Sequence, residues 1–319
     1  MTDAWQPAAN LEIIKSRAKV LTQIRTFMAE RGVLEVETPL LAHATVTDPN
    51  IRSLRPILHY PGSATTEKMF LQSSPEYTMK RLLASGSGPI YQITRAFRDG
   101  ENGRLHNPEF TLLEWYRPGF DHQQLMDELD QLLQCLQFSP SRRRTYAGVF
   151  QENIQIDPHR CDLAELDSMA RNNGLVTEEH DRTVLLDYLF SHCVIHSLGI
   201  DQPEFIYDYP ACQAALARLT DTMPPVAERF ELFINGIEIA NGFHELRDAE
   251  EQRKRFEQDN LRRQNSGLPV NKPDEYFLAA LSKGLPDCAG VAVGIDRLLM
   301  AVHDLDMISA TLAFPIDRA

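Results

Sequence analysis

The chain has 319 residues, of which 43% are hydrophobic and 24% are charged, as is ordinary for a folded globular protein. This length is enough for one large domain with an insert, or for one and a half domains. The net charge of −13 disfavours an extended nucleic-acid surface, because a negative field repels phosphate backbones. The short basic cluster Arg142–Arg144 does not reverse this balance and is interpreted as a solvated loop.

The cysteines and the N-terminal segment indicate the compartment. The five cysteines are scattered and form no C-x-x-C pair, so the sequence predicts neither a disulfide framework nor a zinc–cysteine site. Residues 1–10 lack the pattern of a signal peptide, and no apolar run approaches the roughly 20 residues that span a bilayer. We therefore expect a cytoplasmic protein with no membrane segment.

The first elements alternate between helix and strand. Apolar residues recur at helical spacing over residues 11–31, and Gly32 follows as a candidate C-cap. Residues 33–39 alternate like an edge strand that ends at a proline. A short strand is predicted over residues 68–73 and a helix over residues 76–85.

The middle of the chain contains a predicted long hairpin and an insert. Residues 89–97 and 109–116 are rich in strand-forming residues and are joined by a polar loop that contains glycine, so they are predicted to pair antiparallel. Residues 125–138 have a helical period. Residues 139–199 are mostly polar, with short helical pieces, and are interpreted as an insert.

The last elements complete the predicted fold. Residues 205–209 form a strand, residues 227–240 form a hairpin that turns at Asn235-Gly236, and residues 249–264 form a charged helix. A strand over residues 291–295 leads into a helix that begins near residue 296. These elements predict an α+β fold with a mainly antiparallel β-sheet flanked by helices, in a single domain over residues 1–319.

The second hairpin brings two acidic residues together. If Asn235 and Gly236 form the turn, Glu231 faces Ala240, and alternation puts Glu231 and Glu238 on one face, about 7 Å apart at Cβ. Two close carboxylates repel each other unless a cation lies between them, and their oxygens suit Mg²⁺. The alternative is a strand surface on which both glutamates are solvated, and the hairpin alone does not decide between the two.

Four ordered segments, with a fifth acidic segment ahead of the second, carry a resemblance to a known family. They are Gly32 to Leu41, Ser74-Pro75-Glu76, Arg95 to Asp99 with Gly103 to Tyr116, Glu238 to Leu246, and Gly290 to Arg297. In this order they resemble motif 1, the amino-acid-binding segment, motif 2, the next block and motif 3 of class II aminoacyl-tRNA synthetases, in the form typical of lysyl-tRNA synthetases. The resemblance runs from about residue 11 to the C-terminus and implies the catalytic core of that class.

The resemblance implies a nucleotide site for ATP with Mg²⁺. Arg98 would hold the α-phosphate, Phe110 and Arg297 would sandwich the adenine, and Glu231 and Glu238 would hold the metal. The implied catalytic residues are Arg98, Glu238 and Arg297. The implied ATP-binding residues are Arg98, Asp99, Gly100, His106, Asn107, Phe110, Glu238, Ile239, Gly294 and Arg297.

The resemblance also implies a pocket for a lysine-like amino acid. A long cationic side chain requires acidic partners, and the family pattern points to Glu114, Tyr116 and Glu245. The full set implied for substrate binding is Ser74, Pro75, Glu76, Glu114, Tyr116, Asn241, Phe243, Glu245 and Ala292.

Several features depart from the family pattern. Only ten residues precede the first helix, so no anticodon-binding domain is expected, and tRNA becomes an improbable acceptor. In this respect the chain resembles a stand-alone branch of the family that attaches lysine, preferentially β-lysine, to a lysine side chain of translation elongation factor P. Ala292 stands where glycine is expected, and Glu101 stands one place after the expected motif 2 glutamate, so that either Glu101 shifts inward or the backbone at Gly100 makes the adenine contact.

Alternatives remain open at this point. The same adenylate chemistry would serve a free-standing tRNA ligase or a small-amine ligase of the asparagine synthetase kind. A non-catalytic paralog that senses an amino acid or binds a translation factor is also possible in principle, although a sensor needs neither Arg98 nor the two glutamates. The likeness of residues 32–41 to motif 1 implies a homodimer.

Overall fold

A computed structural model describes residues 5–176 and 181–319; residues 1–4 and 177–180 lie outside the described part. The predictions for residues 1–10 and 139–199 therefore fall partly outside it. The described residues divide into two compact units. Unit 1 comprises residues up to 119, 247–288 and from 292 onward, and unit 2 comprises residues 120–246 and 289–291.

The helices of the described residues all have bounds set by their caps and buried faces. In chain order they are α1 (Leu11–Glu30), α2 (Glu76–Ala84), α3 (His122–Cys135), α4 (Tyr146–Ile154), α5 (Leu163–Asn172), α6 (Arg182–Leu189), α7 (Ala249–Asn265), α8 (Glu275–Gly284) and α9 (Ile295–His303). A π-helical turn (Phe190–Val194) and three short 3-10 turns (Ile195–Ser197, Ala211–Gln213 and Ile308–Thr311) are also present.

The strands are mostly short outside the two long hairpins. They are β1 (Leu34–Glu35), β2 (Leu41–Ala42), β3 (Ile57–His59), β4 (Thr66–Lys68), β5 (Phe70–Leu71), β6 (Ile90–Phe97), β7 (Glu109–Pro118), β8 (Arg142–Thr145), β9 (Glu204–Pro210), β10 (Val226–Ile234), β11 (Ile237–His244) and β12 (Cys288–Gly294).

Helix α1 follows the sequence prediction. The Asn10 side chain accepts a hydrogen bond from the backbone N–H of Ile13 at 2.9 Å, which caps the first turn. The helix ends at Arg31, where Gly32 takes the positive φ of 64° that a residue with a Cβ rarely adopts. The helix and its glycine C-cap are confirmed.

The strands of unit 1 lie in the order β1-β6-β7. Strands β6 and β7 pair antiparallel from Ile90↔Tyr116 to Phe97↔Glu109, which confirms the first predicted hairpin. The predicted strand over residues 33–39 is too long, because only β1 pairs, parallel to β6. Beyond it Thr38 bonds Gln92 through its side chain, and Pro39 has no N–H to donate.

The strands of unit 2 lie in the order β11-β10-β9-β8. Pairing is antiparallel in β11·β10·β9 and parallel only in β9·β8. Together with the antiparallel β6·β7, β2·β5 and β3·β4 pairs, this confirms the α+β class with mainly antiparallel pairing. Asn235 and Gly236 take φ values of 51° and 69°, as a type I′ turn requires.

The interpretation of Arg142–Arg144 as a solvated loop is wrong. These residues form β8, and Arg142 and Arg144 both pair with Glu204, which is fully buried. The reason is that a buried carboxylate needs cationic partners. Residues 139–199 are otherwise largely helical, as expected, and they enclose an aromatic core in which Tyr146 stacks on Phe150 with ring centroids 4.6 Å apart.

Three other element predictions differ from the structure in their bounds. The helix predicted over residues 125–138 is α3, which begins three residues earlier because Asp121 and Gln124 form a capping box. The strand predicted over residues 68–73 is divided between β4 and β5. Helix α7 covers the predicted charged helix, and among the described residues no helix has the length and apolar character needed to cross a bilayer.

Candidate active site

Arg98 lies at the end of β6 in unit 1, beside an aromatic ring. Its backbone N–H donates to the carbonyl of Pro108 at 2.9 Å, and its guanidinium lies 5.0 Å from the ring centroid of Phe110. The Nη1 atom is 3.6 Å from a carboxylate oxygen of Glu101. Arg98 Nε is buried and has no hydrogen-bond partner within residues 5–176 and 181–319, so this cation has a donor available for an anionic ligand.

The loop between β6 and β7 contributes a histidine and an asparagine. His106 lies at the surface, 2.7 Å from a guanidinium nitrogen of Arg297 through its Nε2. Asn107 is buried and both ends of its amide contact the backbone, because Nδ2 donates to the carbonyl of Glu109 and Oδ1 accepts from the N–H of Ile316. Asn107 therefore fixes the shape of the loop through its side chain.

Asp99 and Gly100 are exposed at the start of this loop. Gly100 has a φ of 80°, which turns the chain, and the N–H of Asp99 donates to the carbonyl of Arg52 at 2.8 Å. Glu101 is half-buried and contacts Arg98. Of the two alternatives that the sequence left open, this contact places the Glu101 carboxylate next to Arg98.

Arg297 is held at the first turn of α9. Gly294 is the residue before this helix, and the side chain of the neighbouring Asp296 is almost completely buried. Asp296 accepts a hydrogen bond from the N–H of Thr111 at 2.7 Å and forms an ion pair with Arg17 of α1. These contacts join α1, β7 and α9 and so fix the position from which Arg297 extends.

A buried acidic pocket lies on β7, on the same strand face as Phe110. Glu114 is only 2% exposed and accepts hydrogen bonds from Ser74 Oγ and Tyr116 Oη, each at 2.7 Å. Phe110, Glu114 and Tyr116 share one face because they are separated by even numbers of residues. Burial, with the charge of Glu76, raises the pKa of Glu114 to about 7.

A second acidic residue of this pocket is already paired. Glu76 begins α2 after Pro75, and its N–H donates to Ser74 Oγ at 3.1 Å. Its carboxylate lies 2.6 Å from the Nζ of Lys80, one turn along the helix. Lys80 is 1% exposed, so the structure contains a buried ammonium that the sequence analysis missed. The i,i+4 spacing of Glu76 and Lys80 was the available signal.

The second hairpin, in unit 2, differs from its predicted register by one residue. The pairs Ile234↔Ile237 and Phe233↔Glu238 are as predicted, but an irregularity between Leu232 and Phe233 then shifts the pairing. Glu231 consequently faces Asn241, and the prediction that it faces Ala240 is wrong. A bulge places one extra residue in a strand, which turn chemistry alone does not reveal.

Glu231 is buried among polar partners. It forms an ion pair with Arg229 and accepts a hydrogen bond from Tyr209 Oη at 2.7 Å. Burial raises the pKa of Glu231 and the charge of Glu238 raises it further, whereas Arg229 and Tyr209 oppose this shift. This mutual repulsion of Glu231 and Glu238 is the signature expected of two carboxylates on one face.

Arg229 links several residues predicted for the substrate site. Its Nε donates to Asn241 Oδ1 at 3.2 Å, and its guanidinium lies 4.5 Å from the ring centroid of Tyr209 and 6.0 Å from that of Phe243. Arg229 and Tyr209 were both missed by sequence reasoning. The two-residue spacing of Arg229 and Glu231 on a strand could have indicated the pair.

The remaining predicted residues divide between the units. Ile239 and Glu245 of unit 2 are buried, and Glu245 pairs as an isolated bridge with Ala217. Ala292 of unit 1 lies half-buried on β12, two residues before Gly294.

The two carboxylates of unit 2 fit a hard divalent cation. Glu231 and Glu238 supply only oxygen donors, the donor type that Mg²⁺ prefers. The rise in the pKa of Glu231, from burial and from Glu238, means that a cation bound there would relieve a repulsion present in the protein alone.

The sequence matches the family described as tRNA synthetases class II (D, K and N) over residues 3–318. It is 50% identical over 323 residues to the elongation factor P--(R)-beta-lysine ligase of Vibrio parahaemolyticus, and 48% identical over 323 residues to the protein of the same name from Photobacterium profundum; each match covers 100% of both chains. The protein of that name from Erwinia tasmaniensis is 48% identical over 321 residues, with 99% of both chains covered. The chain therefore belongs to the family of class II tRNA synthetases (D, K and N).

Proposed function

We propose that the chain is an ATP-dependent ligase that activates (R)-β-lysine as an aminoacyl-adenylate and transfers it to a lysine side chain of translation elongation factor P. The observation that carries this proposal is the end-to-end match, at 48–50% identity, to proteins named for that activity. The buried Glu114, with two hydroxyl donors, supports an amino acid with a cationic side chain.

The nucleotide is assigned to residues of unit 1. Arg98 holds the α-phosphate, which its unpartnered buried Nε supports. Phe110 offers a ring for the adenine, and Arg297 is oriented for the nucleotide by His106 and by the carbonyl of Leu105. Asp99, Gly100, Asn107 and Gly294 shape the loop and the helix start around these groups.

The amino acid is assigned to the acidic pocket. Glu114 pairs with the cationic group of the substrate, and Ser74 and Tyr116 hold this carboxylate in one orientation. Asn241, Phe243 and Glu245 are assigned to the same substrate. Ala292 supplies one methyl group more than glycine would, and a methyl group in a pocket contributes about 1–3 kcal/mol of discrimination.

The metal is assigned to unit 2. Glu231 and Glu238 would hold Mg²⁺, which when bound supplies charge neutralisation for the phosphates. Ile239 lies beside Glu238 on β11 and is assigned to the nucleotide.

The reaction proceeds in two acyl-transfer steps. The substrate carboxylate attacks the α-phosphorus of ATP and pyrophosphate leaves, which requires positioning and positive charge more than a general base. The ε-amine of the acceptor lysine then attacks the adenylate carbonyl, loses a proton, and AMP leaves. Arg98 and Arg297 supply the fixed positive charge of this chain, so neither step requires a nucleophilic side chain of the enzyme.

The setting of the reaction is also part of the proposal. The net charge of −13 favours a protein acceptor over tRNA. The likeness of residues 32–41 to motif 1, with Leu34 58% exposed on the edge strand β1, supports a homodimer. We place the enzyme in the cytoplasm.

The test is transfer to a purified acceptor. Elongation factor P is incubated with the chain, ATP, Mg²⁺ and either (R)-β-lysine or α-lysine, and its intact mass is measured; total tRNA is assayed in parallel for labelled amino acid. We expect the factor to gain one lysyl mass, faster with (R)-β-lysine, and tRNA to remain unlabelled. Label on tRNA with an unmodified factor would show that the acceptor is wrong.

A pair of variants separates the phosphate contact from general charge. Arg98→Lys keeps a charge but loses the planar guanidinium, and we expect pyrophosphate exchange to fall by about 100-fold or more. Arg95→Lys is the matched control, because Arg95 lies on the same strand, is exposed and pairs only loosely with Glu109 at 3.4 Å. Equal loss in both variants would contradict the assignment of Arg98.

A further inference from the structure

Three side chains that the proposed reaction does not use converge in unit 2. They are His122, the first residue of α3, Glu228 on β10 and His244 at the end of β11. One nitrogen of each imidazole and one carboxylate oxygen of Glu228 all lie within 4.8 Å of one another. The two histidine rings have centroids 6.4 Å apart.

This cluster lies on the opposite face of the hairpin from Glu231. Arg229 pairs with Phe243 in the β10·β11 register, and both side chains belong to the face that contains Glu231. Glu228 and His244 are the immediate neighbours of that pair, so alternation points their side chains to the other face. A 2.7 Å contact between Glu228 Oε2 and His244 Nδ1 supports this placement.

The protonation states of the cluster are those of metal ligands. Burial alone would raise the pKa of Glu228, but hydrogen bonds from His244 and Arg218 outweigh it and lower that pKa to about 2, so the carboxylate is charged. Burial lowers the pKa of His122, which favours the neutral imidazole. The other charged groups that face the cluster are Asp121, Asp208 and Arg218, with Asp208 Oδ1 3.9 Å from His122 Nε2.

A separate observation points to a ligand. The His122 side chain is nine-tenths buried, and within the described part of the chain its Nδ1 has no hydrogen-bond partner. A buried polar atom without a partner costs free energy, so such an atom in a native protein calls for an occupant that satisfies it. Nδ1 of a neutral imidazole can serve as a metal ligand.

We propose that His122, Glu228 and His244 form a binding site for a transition-metal divalent cation of the zinc class. Two imidazoles and one carboxylate are a donor set that zinc takes, and its fourth position can be filled by water or by Asp208. Tetrahedral ligands around zinc lie about 3.3 Å apart, so a spread within 4.8 Å closes by side-chain rotation alone. Arg218 remains as the outer partner of the Glu228 carboxylate.

The role of this site is structural. Its three ligands join the start of α3 to both strands of the hairpin whose opposite face carries Glu231 and Asn241. An ion bound there would therefore hold the hairpin at fixed register from behind, and it would contact neither substrate nor nucleotide residues. This distinguishes it from the oxygen-only pair assigned to Mg²⁺.

The experiment titrates the complete chain, first stripped with EDTA, with Zn²⁺ by calorimetry and follows Tm in parallel. We expect one equivalent of zinc to bind with micromolar affinity or tighter, to raise Tm, and to remain bound in millimolar Mg²⁺. His122→Gln and His244→Gln should each weaken binding by at least about tenfold. His196→Gln is the matched control, an exposed histidine of the same unit, and should bind like the unaltered chain.

Two results would overturn the site. One is the absence of a zinc-dependent rise in Tm for the unaltered chain; the other is unchanged stoichiometric binding in both glutamine variants, which would place the ion elsewhere. If a variant does not fold, Co²⁺ added to the unaltered chain decides by its absorption spectrum. Bands of tetrahedral cobalt support the site, and their absence shows that the three side chains form a hydrogen-bond network only.

Discussion

At the scale of single residues, Glu114 combines deep burial with a demand for charge. Its carboxylate is held by two hydroxyl donors, yet burial raises its pKa to about 7, because two hydroxyl groups do not replace water around a full negative charge. A cationic substrate supplies the missing charge. The energetic cost borne by the ligand-free protein is thus the counterpart of its proposed selectivity.

This cost predicts how the stability of ligand-free Glu114→Gln compares with that of the unaltered chain. The pKa is higher in the folded protein, about 7 against the ordinary 4.5, so between these values the folded state holds a proton that the unfolded chain has lost. Stability of the unaltered chain then falls as pH rises, whereas glutamine does not titrate. The variant should gain up to about 3 kcal/mol relative to the unaltered chain between about pH 4.5 and pH 7.5.

Urea denaturation at the two pH values measures this change. Glu30→Gln, at an exposed position of α1, serves as the control and should show the same stability difference at both pH values. A pH-independent difference for Glu114→Gln would mean that the carboxylate is not penalised by its burial.

A second prediction at this scale concerns Ala292. Replacement by glycine removes one methyl group from a half-buried position of β12, two residues before the start of α9. We expect Ala292→Gly to shift the ratio of kcat/KM for (R)-β-lysine over α-lysine toward α-lysine by about 10- to 100-fold. Pyrophosphate exchange with both amino acids measures the ratio; an unchanged ratio would remove Ala292 from the specificity pocket.

At the scale of elements, the hairpin β10·β11 owes its geometry to a close approach of a glycine to an aromatic ring. A Cβ on Gly242 would lie 2.3 Å from the Cζ of Phe230, which is fully buried and packs on Phe205. We expect Gly242→Ala to destabilise the chain by about 1–3 kcal/mol, since the ring has no free space into which to move.

Thermal unfolding tests this expectation. Gly103→Ala is the matched control, because a Cβ there meets no atom within 4 Å and the backbone φ is not in the left-handed region. A Tm of Gly242→Ala equal to that of this control would show that the hairpin relaxes around the added methyl group.

The elements also show what local sequence patterns can and cannot predict. The Asn235-Gly236 turn and the β6·β7 hairpin follow from turn chemistry and strand propensity, which act over a few residues. The shift between Leu232 and Phe233 and the strand β8 depend on partners far along the chain, such as buried Glu204. Lys80 was missed for the same reason, because its burial follows from packing and not from its neighbours in sequence.

At the scale of the whole molecule, the family and the α+β class could be predicted because five ordered segments carry chemistry that constrains residue type. The site residues of unit 1 cluster as the motifs implied, at Arg98 with Phe110 and at Glu114 with Tyr116. The His122 cluster could not be predicted, since its members lie more than 100 residues apart and match no motif.

The net charge makes a prediction for the molecule as a whole. With a charge of −13, the chain should bind tRNA no better than nonspecific duplex DNA, even at about 50 mM salt, because its field repels both phosphate backbones. Fluorescence anisotropy with labelled tRNA and labelled DNA measures this at low and physiological salt. Micromolar binding of tRNA alone, with a steep dependence on salt, would indicate a local basic surface that outweighs the net charge.

The pairing of Glu76 with Lys80 has one more consequence. This ion pair cancels its own charge, so beside it Glu114 presents a demand for a single positive charge. An amino acid with one side-chain ammonium makes the enclosure electrically neutral, whereas a neutral isostere such as norleucine leaves an anion stranded in a dry environment. By carrying an internal amine of its own, the protein limits its appetite to exactly one more.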